Sequence, residues 1–372
     1  MKATNNNYII MKRATLFFLC FFMYIPLMAQ LSGDMYIIKN VASGLYWGAG
    51  NNWGTQASLM EHPSYVTLNP QDDGTYYMET QVNNGGDSYY FSGDYMDSST
   101  PVALTITQVD FDKYTIANGD DYYGWDGSTT VLGKNLSANS ENALWEIVSY
   151  DDAVAALSQA SAANPLDATF LIMAPDFGRN NIHLYMWDIS GVNQLSGGNN
   201  INNCAESYHK NFSLSQTIAN APAGYYTLTA QGFYRQDGSN ETNLPVFFAN
   251  DETQVFPVRT GTENSMSDAS VSFSNGLYTI SPINVEVTEE GQLTVGAKLE
   301  NNPYLWCIWD NFVLTYYGKD SSTSLSTAIA TYNETMNSAK EAAADDVVTG
   351  IEKDALIQSI NDNSNIDMTS VE

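Results

Sequence analysis

Three stretches of this 372-residue chain echo one another at a spacing of roughly 40 residues, and few folds tolerate that pattern. Each unit carries four short strand signals. The first signals are Tyr36-Ile37-Ile38, Tyr76-Tyr77-Met78 and Tyr114-Thr115-Ile116. The second are Leu45-Tyr46-Trp47, Tyr89-Tyr90-Phe91 and Tyr122-Tyr123-Gly124-Trp125; the third are Ala57-Ser58-Leu59, Asp94-Tyr95-Met96 and Val131-Leu132. The fourth are Val66-Thr67-Leu68, Leu104-Thr105-Ile106 and Trp145-Glu146-Ile147. Turn clusters such as Asp72-Asp73-Gly74, Asn84-Gly85-Gly86 and Asp126-Gly127 punctuate them. Four strands per unit also describe a propeller blade, but a propeller needs at least about four blades.

Three such units predict a β-trefoil over residues 30–149. The segment resembles the ricin-B-type trefoil lectins in architecture. It departs from them in the Gln-x-Trp signature: the third unit has Ala143-Leu144-Trp145, and the other two lack the Trp. The resemblance implies that Asp94 and Asp126, just after the second strand of their units, hold sugar hydroxyls, with Trp47 and Trp125 as candidate stacking partners. A structural role for the whole segment is the competing expectation.

Residues 150–165 read as a helical linker. Asp151 or Asp152 is placed to cap it, Val154, Leu157 and Ala160 fall at helical spacing, and Pro165 ends it. Residues 166–317 return to strand patterning, with Phe212 to Ile218, Tyr225 to Arg235, Val246-Phe247-Phe248, Val271-Ser272-Phe273, Ile283 to Val287, Leu293 to Ala297 and Leu305 to Tyr317. Seven or so antiparallel strands predict a β-sandwich. Three stretches are more specific: Ala174-Pro175-Asp176-Phe177, the Pro222-Ala223-Gly224-Tyr225 turn, and the closing Trp306-Cys307-Ile308-Trp309-Asp310-Asn311-Phe312. Together they resemble the galactose-binding-like jelly rolls, in particular carbohydrate-binding modules attached to secreted bacterial glycan-processing proteins. That resemblance implies a structural calcium ion, for which Asp176 and Asp310 are the candidates. Asp310 bonding only backbone amides is the competing expectation.

The two ends differ in character. Lys12 and Arg13 precede an apolar run from Leu16 to Met28, and Ala29 precedes Gln30; this reads as a signal peptide over residues 1–29. The run is short against the ~20 apolar residues of a helical span, so membrane insertion is not expected. The chain is therefore expected to be secreted, periplasmic or at the cell surface. Residues 318–372 read as a helical spacer, with Leu325, Ile329, Tyr332, Met336 and Ala339 on one face.

Charge narrows the partners. Lys plus Arg is 14 against 42 Asp plus Glu, a net charge of −28. Such a surface cannot neutralise a phosphate backbone, which excludes nucleic acid. The two cysteines after the signal stretch, Cys204 and Cys307, are either bridged or two buried thiols; spacing does not decide.

Motifs for catalysis are missing. No His-Glu-x-x-His or Gly-x-Ser-x-Gly occurs among His62, His183, His209 and their surroundings. Gly127 to Gly133-Lys134 is one residue too long for a P-loop, and Asn135 replaces its hydroxyl residue. Cys204 near His209 is a candidate nucleophile and base, though a packed or bridged cysteine is the plainer reading. Sugar recognition needs aromatic faces for C–H groups and planar polar partners for hydroxyls. Trp187, Tyr208, Tyr234, Arg235, Trp306 and Asn311 are the sandwich candidates, while Phe233, Trp309 and Phe312 are assigned to the core. The sequence thus predicts a mainly β protein, a trefoil followed by a jelly-roll sandwich with a short C-terminal helical segment, that binds a polysaccharide or glycoconjugate without catalysis. The alternatives are a protein-binding scaffold and a piece of a glycoside hydrolase.

Overall fold

The computed structural model describes residues 31, 33–50, 55–80, 89–177, 187–193, 204–237, 243–288, 291–319 and 338. The expected signal peptide and nearly all of the expected spacer lie outside these residues. The chain divides into Met1–Ser32 and Gly33–Glu372, and the following concerns the second unit. It is mainly β, and its strand ladders are antiparallel.

The repeats supply β1 (Met35–Asn40), β2 (Tyr46–Gly50), β3 (Gln56–Met60), β4 (Tyr65–Pro70), β5 (Tyr76–Thr80), β6 (Tyr89–Tyr90), β7 (Thr105–Asp110), β8 (Lys113–Asn118), β9 (Asp121–Gly124), β10 (Gly133–Leu136) and β11 (Leu144–Ser149). The first and fourth strands of each unit pair in a ring. β1 pairs β4, β4 pairs β5, β7 pairs β8, β8 pairs β11, and β11 returns to β1. Tyr76 and Leu104 close it between β5 and the start of β7 by exchanging N–H bonds of 2.8 and 2.9 Å. The second and third strands form hairpins across one end. Their third strands interlock: Ala57 N–H donates to Asp94 O at 2.9 Å, and Leu132 N–H to Ala57 O at 3.1 Å.

One residue from the second strand of each unit meets at the centre of this ring. Trp47, Phe91 and Tyr123 are mutual neighbours, with ring centroids 5.1, 5.2 and 5.7 Å apart. Trp145 packs beneath Trp47 at 5.0 Å and donates its indole N–H to Tyr123 O. Edge and tilted contacts of this kind add roughly 0.5–1.5 kcal/mol each beyond the area they bury. Tight turns are supplied where the chain reverses: β8 and β9 are joined by Gly119-Asp120, with Gly119 at φ +59° as a two-residue hairpin turn needs.

Helix α1 (Tyr150–Ala156) follows. Its cap is Ser149, whose Oγ accepts the Asp152 N–H at 3.0 Å, rather than Asp151 or Asp152. The reason is positional: the cap residue stays extended, and Tyr150 is already helical. Tyr150 packs edge-on against Tyr65 and Phe170, and the Tyr65 hydroxyl donates to Phe170 O.

The remaining strands are β12 (Leu166–Asp167), β13 (Asp188–Ser190), β14 (Ala205–Tyr208), β15 (Phe212–Ile218), β16 (Gly224–Gln236), β17 (Val246–Ala249), β18 (Glu252–Val255), β19 (Ile283–Val287), β20 (Leu293–Leu299) and β21 (Leu305–Tyr316). They form two sheets. One runs β12-β21-β16-β19 with β14 also on β21; the other runs β13-β15-β20-β17-β18. Alternate residues of both fill one core, in which Trp309 stacks on Phe212 at 4.7 Å. Gly224 starts β16 at φ +142°, and a Cβ there would meet Gly318 O and the Tyr316 ring within 2.6–2.8 Å, so the turn before β16 requires glycine.

One expected strand is a helix. Val271-Ser272-Phe273 lies in α2 (Met266–Ser274), capped by Ser265, whose Oγ accepts the Asp268 N–H at 3.1 Å. Met266, Ala269, Ser270 and Phe273 recur at helical spacing and are buried. They cover the outer face of the first sheet at Phe233, Trp306 and Ile308. Among the described residues, no helix is long and apolar enough to cross a membrane.

Candidate functional site

The closing motif is a β-bulge. Along β21, Trp309 and Phe312 both face the core, so two residues intervene where strict alternation allows one. Asn311 takes the extra position at φ +52°, a conformation asparagine tolerates. Asp310 Oδ1 accepts the Asn311 N–H at 2.9 Å and the Phe177 N–H at 2.8 Å, and the Phe312 N–H donates to Pro175 O at 2.9 Å. The two motifs chosen for their specificity therefore meet each other. Asn311 Nδ2 donates to Gln231 Oε1 at 2.6 Å. Asp310 is buried, and burial first, then the Asp176 carboxylate, raises its carboxyl pKa well above the usual range.

The Asp310 carboxylate expected to hold calcium serves backbone amides. A hard cation needs several anionic or carbonyl oxygens. No group of three or more His, Cys, Asp and Glu side chains gathers among the described residues, and Asp310 Oδ1 is already shared by two amide N–H groups.

Several sugar candidates are enclosed. Trp187 is 3% exposed, packed between Phe177 and Phe312, with its indole N–H on Ala174 O at 3.1 Å. Trp47 is sealed in the ring core, which removes it as a stacking partner. Trp125 is half-buried. Asp94 is ion-paired to Lys134. Asp126 organises its own loop: it accepts N–H bonds from Ser128 and Thr129 and a hydroxyl bond from Thr129, which hold its pKa down to about 2. Tyr234 is half-buried against the sandwich core, its carbonyl accepting the Arg259 N–H.

Tyr208, Arg235 and Trp306 come together at one end of the first sheet. β14 and β16 flank β21 there, placing Tyr208 and Arg235 on either side of Trp306 in register. Trp306 itself is covered: its indole N–H donates to Glu206 Oε2 at 3.0 Å, and the Arg235 guanidinium lies 4.4 Å over its ring. Arg235 makes a two-point bond to Asp237, Nε to Oδ1 and Nη2 to Oδ2, both at 2.6 Å, and Nη1 donates to Asn264 Oδ1 at 2.7 Å. These bonds from Arg235 lower the Asp237 pKa. His209 Nε2 reaches Asp237 Oδ2 at 3.3 Å, and the His209 ring stacks on Tyr208 at 3.9 Å and 15°.

The result is a pre-organised rim. Tyr208 is 43% exposed and Tyr304 is 44% exposed. The Tyr304 carbonyl accepts the Asp237 N–H at 3.0 Å, so its loop is fixed to the same rim. Sequence reasoning missed His209, Asp237 and Tyr304 as partners of this rim. The signal available was Asp237 two residues beyond Arg235.

The candidate cysteine dyad does not form. Cys204 Sγ lies beneath α2 on Met266 O, and burial pushes its thiol up to about 12. Cys307 faces the opposite side of the sheet, in the sandwich core, and both cysteines are free.

No protein-family profile matches the chain, and no curated protein matches it. Three solved structures are similar at low TM-scores. A Culex quiquefasciatus salivary protein of the Cysteine and Tryptophan-Rich family is 19% identical over 33% of this chain and 99% of its own, at a TM-score of 0.25. TmCBM61, solved in complex with beta-1,4-galactotriose, is 15% identical over 39% and 97%, at 0.27. The mosquito-larvicidal Cry4Aa toxin from Bacillus thuringiensis is 10% identical over 76% and 52%, at 0.24. These scores are too low to carry a conclusion about fold or function.

Proposed function

We propose that the protein is a non-catalytic glycan-binding protein acting outside the cell, built from a β-trefoil and a jelly-roll sandwich. The observation that carries this reading is the rim on the sandwich. Tyr208 offers a partly exposed ring already braced by His209, beside an arginine and a carboxylate locked in one geometry. A sugar has apolar C–H faces that pack on such a ring, and hydroxyls that bond to planar charged groups. Rigid partners lower the ordering cost of binding. Among the described residues, Arg235 uses three of its five N–H groups and keeps two for a ligand.

The test is binding to a panel of soluble polysaccharides by affinity electrophoresis and calorimetry. Tyr208→Ala is expected to weaken binding about tenfold or more while leaving the melting temperature nearly unchanged, because the residue is exposed at the sheet end. Undiminished binding by this variant, or no binding by the parent protein, overturns the proposal.

A further inference from the structure

A second concavity lies where the strand ring meets the sandwich, about 210 Å³ in volume. Its wall combines β1, β2 and β11 with Asp167 of β12 and Phe170 just after it. The seam is held by the Tyr65 hydroxyl on Phe170 O and by Tyr150 between those two rings.

The lining has a specific chemistry. Tyr46 and Phe170 give two half-buried aromatic rings, and buried Ile37 and exposed Val148 add apolar lining. Lys39, Glu146 and Asp167 are the charged groups. Lys39 stands opposite both Glu146 and Tyr46 in the strand register. Even so, no ion pair joins Lys39 to Glu146 among the described residues. Its ammonium instead lies 5.7 Å over the Tyr46 ring. Asp167 Oδ1 accepts the Thr169 N–H at 2.8 Å, which fixes that carboxylate. The Tyr46 hydroxyl pKa is raised by burial and by the nearby Asp167 and Glu146 carboxylates.

We infer that this pocket takes a single neutral pyranose unit, a binding site separate from the Tyr208 rim; the inference rests on the glycan-binding reading. Two rings stack on the C–H faces of a sugar, two carboxylates accept its hydroxyl protons, and one ammonium donates to a hydroxyl or ring oxygen. The charge balance of two acids to one base turns away uronic and sialic acids. The three charges turn away an apolar ligand, which would strip them of water without replacing its hydrogen bonds. The volume admits one ring and not a chain, so the ligand is a terminal or free residue.

The test is saturation-transfer NMR and calorimetry on the whole chain with methyl glycosides of galactose, glucose and mannose. At least one is expected to bind. Glu146→Gln and Asp167→Asn keep the shape and the Asp167 bond to Thr169, and each is expected to weaken that binding about tenfold or more, since bonds to charged groups are the stronger kind. Tyr208→Ala is expected to leave it unchanged. Binding of none of the three glycosides, insensitivity to both acid variants, or stronger binding of an amino sugar overturns the inference. Polysaccharide binding lost in Tyr208→Ala with glycoside binding intact separates the two sites. Polysaccharide binding with no glycoside binding defeats the pocket alone.

Discussion

Asp310 and Phe177 lie 133 residues apart and are joined inside the sandwich, the Phe177 N–H donating to Asp310 Oδ1 at 2.8 Å. The same oxygen holds the bulge through Asn311. The carboxyl is therefore a clasp between the opening and closing segments of the sandwich. Its pKa is raised by burial, so the folded state binds a proton that the unfolded chain gives up. Stability from this group is present below the ordinary aspartate range and is lost as pH rises through the raised folded value. Asp310→Asn keeps the acceptor without the charge. It is expected to melt no lower than the parent at pH 7 and to flatten the decline above pH ~4. Asp310→Ala leaves two buried N–H groups without an acceptor and is expected to cost about 2–5 kcal/mol. Equal melting curves for the two variants across pH would sink the clasp.

Trp187 and Trp306 are supports rather than platforms. Trp187→Ala and Trp306→Ala are each expected to destabilise the fold by about 3–5 kcal/mol in urea or guanidinium titrations, as large-to-small changes in a packed interior do. A variant as stable as the parent would show that its indole is not packed as described.

Arg235 and Asp237 form a two-point pair whose side chains are each 19% exposed. The lowered Asp237 pKa means its contribution is present above the ordinary aspartate range and is lost as pH falls through the lower folded value. Asp237→Asn is expected to lose about 1–2 kcal/mol at pH 7, in the range for a hydrogen bond to a charged group. The difference from the parent should shrink toward zero as pH falls through that lowered folded value. A pH-independent difference would assign the loss to packing instead.

Cys204 and Cys307 sit on opposite faces of one sheet, which rules out a bridge between them in this fold. A thiol reagent is expected to label neither in native protein within minutes and both once denaturant is added, because the thiolate is the reactive form and both thiols are shifted upward by burial. Reducing agent should leave the melting temperature unmoved. Rapid native labelling would contradict their burial.

The strand positions of the first half were legible because each short strand is bracketed by turn residues, but Trp47, Phe91 and Tyr123 are 44 and 32 residues apart, so a period of about 40 does not mark them as the trio that meets at the centre. Alternation along a strand tells which residues share a face, not what covers that face. Trp306 reads as an outward residue and is one, yet α2 and Arg235 lie over it. The helix was hidden because Val271-Ser272-Phe273 alternates like a strand, while its own signals, Ser265 and Asp268, are three residues apart in a polar stretch. Asp176 and Asp310 carried a motif resemblance, but only the bulge geometry shows that Asp310 serves the backbone. The rim depends on contacts from Tyr208 to Asp237 to Tyr304, which no local pattern reports.

The closed ring of strands has a further consequence for the life of the molecule at high concentration. A ring presents no unpaired row of N–H and C=O groups, so it offers no template onto which a second chain could add a strand. Among the described residues, strand addition has to start from the sheet ends outside the ring: β6 and β10 of the first half, β13 and β18 of one sandwich sheet, and β12 and β19 of the other. β6 and β12 have two residues, β13 three, and β10 and β18 four, so most of these ends give an added strand little to pair with.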